Sequence, residues 1–331
     1  MKNLSDCHRV SIAPMMDCTD RYCRYFHRSL TKNALLYTEM VVARTIIEAH
    51  KRGDLSKYLA FDSFEKPLAL QLGGSDPKEL AEAAKIAMQY DYDEINLNVG
   101  CPSDRVQSGR FGVCLMKQPE IVAECMDAIQ KSVDIPLSVK TRIGVDEYDS
   151  EEFLIRFIDV VSKTGVFNFI IHARKAWLKG LNPSQNRNIP PLDYGRVYAM
   201  KKRFPDFKIE INGGITDLQQ CQSHLHKLDG VMIGRAAYEN PWILSKVDSL
   251  IFNCKDPCDS REKLIEDLLQ YCEKLSSSGV RLHNLARHMS GLYKGQSRAK
   301  HWRIKIQELL KKNPHDAQFL NKSIEVFQQS S

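Results

Sequence analysis

The sequence predicts a (β/α)8 TIM barrel followed by a small all-helical C-terminal domain. Two observations carry that expectation. Eight short, β-rich apolar segments alternate with longer helical patterns over about 240 residues, the count and size of a TIM barrel. After Pro241 the strand signal stops and only helical patterns follow. A doubly wound open sheet is the competing architecture, but no GxGxxG fingerprint follows the first strand, which argues against a dinucleotide fold.

The strands are expected at Val10–Met15, Leu35–Met40, Pro67–Leu72, Glu94–Val99, Pro136–Thr141, Phe167–His172, Lys208–Asn212 and Gly230–Ile233. Helical periodicity fills Pro77–Tyr90, Pro119–Lys131, Glu151–Lys163, Tyr194–Phe204 and Asp217–Leu225 between them. The segments "ALQL", "INLN", "LSVK" and "FIIH" read as mostly apolar on both faces, the pattern of a parallel sheet covered by helices. Beyond the barrel, Ser260–Ser276, Arg281–Tyr293 and Ala299–Lys312 are expected as helices, and the final "QQSS" as a frayed end. The chain divides into a catalytic barrel, 1–243, and a helical domain, 244–331, with the boundary in the loop-like stretch Ile243–Asp259.

Composition narrows the function. The 331 residues are 43% hydrophobic and 27% charged, an ordinary globular balance. No apolar run is long enough for a transmembrane helix, and Met1–Val10 lacks a secretory h-region, so a cytoplasmic protein without membrane attachment is expected. The ten cysteines lack framework spacing, which excludes a disulfide scaffold. Cys18/Cys23 and Cys254/Cys258 have no matching second pair, so no metal site is expected. The net charge of +6 is concentrated: between Arg281 and Lys312 nine Lys/Arg face one acid, Glu308. Such a patch suits a polyanion such as RNA, the alternative being a solvated helical face.

Residues at C-terminal strand ends and in the loops after them face the active site of such a barrel. Here polar or reactive groups recur there: Pro14-Met15-Met16, Gln71, Asn96 and Asn98 with Cys101, Lys140 with Arg142, His172 with Arg174, Asn212-Gly213-Gly214 and Gly234-Arg235. "INGGIT" and "MIGRAA", after the seventh and eighth strands, occupy the usual barrel phosphate site, with glycines for close backbone approach and Arg235 for charge. Lys140 alone reads equally as a salt-bridged barrel lysine, and His172 as a core histidine. Beside a phosphate motif they suit a flavin, whose reduced ring a cation stabilises. Gly100-Cys101-Pro102 places a thiol on a sharp turn there. A thiol of pKa about 8.5 is protonated at neutral pH and can donate that proton; a structural cysteine or a nucleophile are the alternatives. Arg105 and Arg110 could hold nucleic-acid phosphate or be plain surface arginines. Tyr293 and Trp302 could stack on bases or belong to the helical core.

The ordered blocks "APMMDCTD", "LLYTEM", "ALQLGGSDP", "YDEINLNVGCPSDRVQSGRFG", "VKTRIG", "IIHARKAWLKGL", "NRNIPPLDY", "INGGI" and "DGVMIGR" resemble the tRNA-dihydrouridine synthase family, nearest the subgroup acting on D-loop nucleotides 20 and 20a. The resemblance runs from about Ile12 to Leu244 and more weakly through Arg303. It implies reduction of uracil in tRNA with bound FMN and NADPH as transient reductant. It implies FMN contacts from Pro14, Met15, Met16, Gln71, Lys140, His172, Asn212, Gly213, Gly214, Gly234 and Arg235, and Cys101 as general acid. It places tRNA contacts at Asn98, Ser184 (where the subgroup usually has Lys), Arg187, Lys300 and Arg303, and it implies no obligate protein partner. An FMN barrel acting on a small molecule, or a non-catalytic tRNA binder, are the competing functions.

Overall fold

The computed structural model describes residues 7–328, apart from the side chains of Arg105 and Gln328. Nine strands form one parallel sheet: β1 (Val10–Ile12), β2 (Leu36–Tyr37), β3 (Val41–Val42), β4 (Leu68–Gly73), β5 (Glu94–Val99), β6 (Leu137–Arg142), β7 (Asn168–His172), β8 (Lys208–Asn212) and β9 (Gly230–Ile233). Their order is β1-β9-β8-β7-β6-β5-β4-β2, with β3 added beside β4. The bridge Ser11↔Leu35 joins the two ends, so eight strands close a barrel. Each of the eight expected strands is present. The segment expected as one strand from Leu35 to Met40 is instead the two short strands β2 and β3.

Helices cover the outside, and their starts follow capping chemistry. Asp20, Asp76, Ser150, Asp193 and Asp217 each accept backbone N–H groups of the first turn of Arg21–Leu30, Pro77–Ala87, Glu151–Ser162, Tyr194–Arg203 and Leu218–Leu225. Outward strand residues and helix faces merge in one apolar core.

The inward faces differ from the sequence expectation. β5 alternates outward Ile95, Leu97 and Val99 with inward Glu94, Asn96 and Asn98, all buried. β4, β6 and β7 alternate likewise, turning Gln71, Ser138, Lys140 and His172 away from the outer core. The reading of both faces as apolar was therefore incorrect. A small apolar cluster of Cys7, Leu35, Tyr37, Ala69, Ile170 and Met232 fills part of the barrel, and polar side chains occupy much of the rest.

Past the barrel, a 3-10 turn at Pro241–Lys246 runs across the expected boundary into helix Val247–Phe252. Asp248 of that helix accepts from Thr31 Oγ1, at 2.6 Å, and from the backbone N–H groups of Lys32 and Asn33. Helices Arg261–Ser277, Ala299–Lys312 and Phe319–Gln328 follow. The stretch Arg281–Tyr293 is not one helix: it breaks into His283–Ala286 and a 3-10 turn at Arg287–Met289. Phe319–Gln328 was not anticipated, and the end of "QQSS" beyond residue 328 lies outside the described residues. Trp302 is fully buried, its Nε1 donating to Ser323 Oγ at 3.0 Å, and Tyr293 packs against it and Phe327. Both are core residues, so base stacking by them is ruled out in this arrangement.

The helical region meets the barrel through a stacked Tyr25–Tyr271 pair. Lys274–Asp62 forms an ion pair, and Asp20 is shared by Arg287 and His288.

Candidate active site at the barrel mouth

The C-terminal ends of the strands form the mouth. From β5, the loop 100–103 rises with its backbone fixed at successive positions. Asn98 Oδ1 accepts from the N–H groups of Gly100 and Cys101 at 3.1 and 3.0 Å. Arg142 Nε donates to Gly100 O at 2.9 Å, Val113 N to Cys101 O at 3.0 Å, and Gln107 Nε2 to Pro102 O at 2.9 Å. The last but one requires Gly112: its φ is +73°, and a Cβ there would lie 2.6 Å from Cys101 O. Cys101 is half-buried, with Sγ 3.5 Å from Ser103 Oγ.

On the neighbouring strands the mouth gathers positive charge. Lys140 Nζ donates to Asn212 Oδ1 at 3.1 Å, and Asn212 Nδ2 donates to Met232 O at 2.8 Å. Arg142 holds the carbonyls of Lys175 and Asn186 besides that of Gly100. Arg174 donates to the carbonyls of Asn188 and Pro190, while its Nε is buried without a partner. Arg235 reaches Arg187 O at 3.4 Å. Among the described residues none of these cations forms an ion pair with a carboxylate. The electrostatic consequence is uniform. Burial, with Arg142 nearby, pushes the Lys140 ammonium down to about 7. Burial brings Arg142 down to about 10 and holds His172 well below its usual value, reinforced by Arg142 and Lys140. Burial and Arg235 lower Arg187.

A buried cation normally finds a compensating group. Here Lys140, Arg142 and Arg174 form no ion pair with a carboxylate among the described residues, and the backbone beside them packs closely against side chains of the protein. Gly213 and Gly214 have φ of +116° and +73°; a Cβ on the first would meet His172 Cδ2 at 2.6 Å and on the second Leu192 Cδ1 at 2.5 Å. The donor set fits an anionic, phosphate-bearing ligand.

Most residues singled out in the sequence converge here. Pro14, Met15 and Met16 follow β1, the last exposed; Gln71, Asn98, Lys140, His172 and Asn212 stand on β4 to β8; Gly213, Gly214, Gly234 and Arg235 follow β8 and β9. Ser184 and Arg187 are exposed on the loop after β7, which folds around the buried side chain of Asn186. Lys300 and Arg303 form a separate exposed group on helix Ala299–Lys312. Arg110 is exposed at φ +55°; the side chain of Arg105 lies outside the described residues. The sequence reading placed Asn96 with Asn98 and Cys101 at this strand end but missed the linking roles of Ser138 and Gln107. Alternation of Ser138 and Lys140 with apolar residues along β6 was the available signal for the first.

Fold and site together define a closed parallel α/β barrel with an anion-seeking mouth and a thiol in the adjoining loop. Residues 11–329 match the family model described as Dihydrouridine synthase (Dus). The chain is similar to the tRNA-dihydrouridine(20/20a) synthase of Shewanella oneidensis, 57% identical over 94% of this chain and 91% of that protein. It is also similar to those of Vibrio cholerae, 54% over 91% and 90%, and Synechocystis, 54% over 92% and 90%. A crystal structure of TcOYE with pHBA superposes with TM-score 0.50 at 11% identity, covering 73% of this chain and 88% of that one, a likeness of fold. The chain belongs to the dihydrouridine synthase family. It is an oxidoreductase, since dihydrouridine is uridine reduced across a ring double bond.

Proposed function

We propose that this enzyme is a tRNA-dihydrouridine synthase that reduces uracils at D-loop positions 20 and 20a, with FMN in the barrel mouth, NADPH as reductant and Cys101 as general acid. The observation that carries this reading is the cluster of Lys140, Arg142, Arg174, Arg187 and Arg235 at the mouth, none of them in an ion pair with a carboxylate among the described residues, bordered by Cys101. Arg235 and the backbone at Gly213, Gly214 and Gly234 would hold the FMN phosphate. Lys140, His172, Asn212 and Gln71 would face its ring and ribityl chain, beside Pro14, Met15 and Met16. When bound, FMN supplies the hydride delivered to carbon 6 of the uracil.

The rest falls to the protein. Asn98 orients the base and holds the Cys101 loop. Cys101 Sγ gives its proton to carbon 5, completing addition of one hydride and one proton across the double bond. Ser184 and Arg187 on the β7 loop, with Lys300 and Arg303, hold tRNA backbone. Those contacts offset the few kcal/mol, in order of magnitude, that extruding a base from its stack costs.

The test separates the two halves of the reaction. Cys101→Ala should retain FMN and oxidise NADPH at the normal rate, while dihydrouridine formation falls by about 10²-fold or more. Undiminished product, measured by nucleoside mass spectrometry, would refute the assignment of Cys101.

A further inference from the structure

A line of buried polar side chains runs up the barrel interior, and it has a direction. Glu94, Asn96 and Asn98 are the inward residues of β5, spanning about 13 Å of strand. At the lower end the Glu94 carboxylate accepts from Ser138 Oγ at 2.5 Å and Tyr37 Oη at 3.0 Å. Ser138 Oγ accepts from Asn96 Nδ2 at 2.7 Å. Asn96 Oδ1 accepts from Gln71 Nε2 at 2.8 Å, and Gln71 Oε1 from Asn98 Nδ2 at 2.9 Å. At the upper end Asn98 Oδ1 accepts the N–H groups of Gly100 and Cys101. Every side-chain donor in this line points away from the mouth.

A carboxamide can turn end for end with almost no change of shape, exchanging donor for acceptor. The two ends of the line forbid this. An ionised carboxylate only accepts, so Ser138 donates to it and Asn96 presents nitrogen to Ser138. A backbone N–H only donates, so Asn98 presents oxygen to the loop. Three carboxamides and one hydroxyl satisfy both ends in the one sense observed. Reversing any member would set two donors or two acceptors against each other in buried space. On its other side the Glu94 carboxylate faces His8, whose Nε2 lies 2.7 Å away.

We propose that Glu94, acting through Ser138, is a positioning residue for the Cys101 loop: it sets the orientation of Asn96, Gln71 and Asn98, and so holds the Gly100 and Cys101 amides. The consequence for turnover rests on Cys101 being the proton donor; the effect on the loop does not. Gln71, assigned above to the flavin, is locked by the same line.

Ser138→Ala removes the junction without changing charge. In the full-length FMN-bound protein, hydrogen exchange in the Asn98–Pro102 peptide should accelerate about tenfold, with the outer strands unaffected. The kcat for dihydrouridine formation should fall severalfold while the KM for tRNA and the rate of NADPH oxidation hold. Ser138→Thr, which keeps the hydroxyl, should restore both. Unchanged exchange in that peptide or equal acceleration throughout the barrel would each overturn the proposal, and unchanged kcat beside faster exchange would overturn its consequence for turnover. If Ser138→Ala does not fold, Asn96→Leu cuts the same line at similar size and should give the same local acceleration; unchanged exchange there overturns it equally. Exchange is read without RNA, so product formation by Cys101→Ala would remove the proton-donor assignment and leave this one standing.

Discussion

His8 sits in the lower half of the barrel between two glutamates, its ring nitrogens 2.7 Å from Glu94 and 2.5 Å from Glu210. At the mouth, Lys140, Arg142, His172, Arg174, Arg187 and Arg235 converge, and among the described residues none of them forms an ion pair with a carboxylate. Both regions are lined from the same strands, yet their charges are arranged oppositely. Below, burial opposes the His8 charge, but Glu94 and Glu210 outweigh it and push its pKa up to about 11. Above, burial, with Arg142 nearby, outweighs the opposing pull of Cys101 and Glu210 and pushes Lys140 down to about 7. A cation already matched inside the protein contributes to folding. An unmatched one weakens folding and is retained for what it binds.

Removing the cation from each region should break that contrast most visibly. His8→Leu leaves Glu94 and Glu210 buried against each other, and breaking such a group costs roughly 3–5 kcal/mol. Lys140→Met takes away a charge that forms no ion pair with a protein carboxylate among the described residues and that Glu210 offsets only in part. Its unfolding free energy should stay within about 1 kcal/mol of wild type or rise, whereas its affinity for FMN should fall. Urea unfolding of the flavin-free proteins checks the first statement, and flavin titration the second. A stability loss at Lys140 as large as at His8 would erase the distinction.

The sequence made these two regions unequally legible. Strand positions were readable because β-rich apolar segments are separated by capped helices, and β5, β8 and β9 fall at the expected residues. The mouth was readable because its groups sit at C-terminal strand ends, a position that the barrel topology assigns to the site. The lower network was not. His8 and Glu210 are 202 residues apart and meet only through closure of the barrel, and Ser138 reaches Glu94 and Asn96 only through the β5–β6 register. A residue such as Ser138 in a short strand looks like a tolerated polar substitution until the partner strand is known. For Trp302 the sequence left base stacking and the helical core open, and the structure gives the second: its side chain lies on the inner face of Ala299–Lys312.

A smaller effect concerns pH. For His8 the folded pKa exceeds the ordinary value near 6.5, so its stabilisation is complete below about 6.5 and is lost as pH rises towards about 11. For Lys140 the folded pKa lies below the ordinary 10.5, so the unfolded chain binds more protons between about 7 and 10.5 and this group makes stability rise there. The two slopes oppose each other, each up to about 1.4 kcal/mol per pH unit. Lys140→Met should therefore lose stability more steeply than wild type from pH 7.5 to 10 (a window of roughly two units). Parallel curves of urea midpoint against pH would mean that the mouth lysine is matched after all.

The smallest expected effect separates the cations of the mouth, among them the buried Arg142, from the exposed ones of the helical region. Lys300 and Arg303 are one turn apart on the solvent face of their helix. If they track tRNA phosphates, their binding free energy comes from released counterions and must depend on salt. Each phosphate contact contributes about 0.7 to 0.9 to the slope of log affinity against log salt. Lys300→Ala with Arg303→Ala should flatten that slope by about 1.5, measured by tRNA binding across a salt series. The folded state should hold, because neither side chain enters the core around Trp302. An unchanged slope would leave the basic helix as a solvated face and confine RNA recognition to the barrel loops. A lowered affinity at unchanged slope would mean that these residues act through the shape of the helical region instead of through charge.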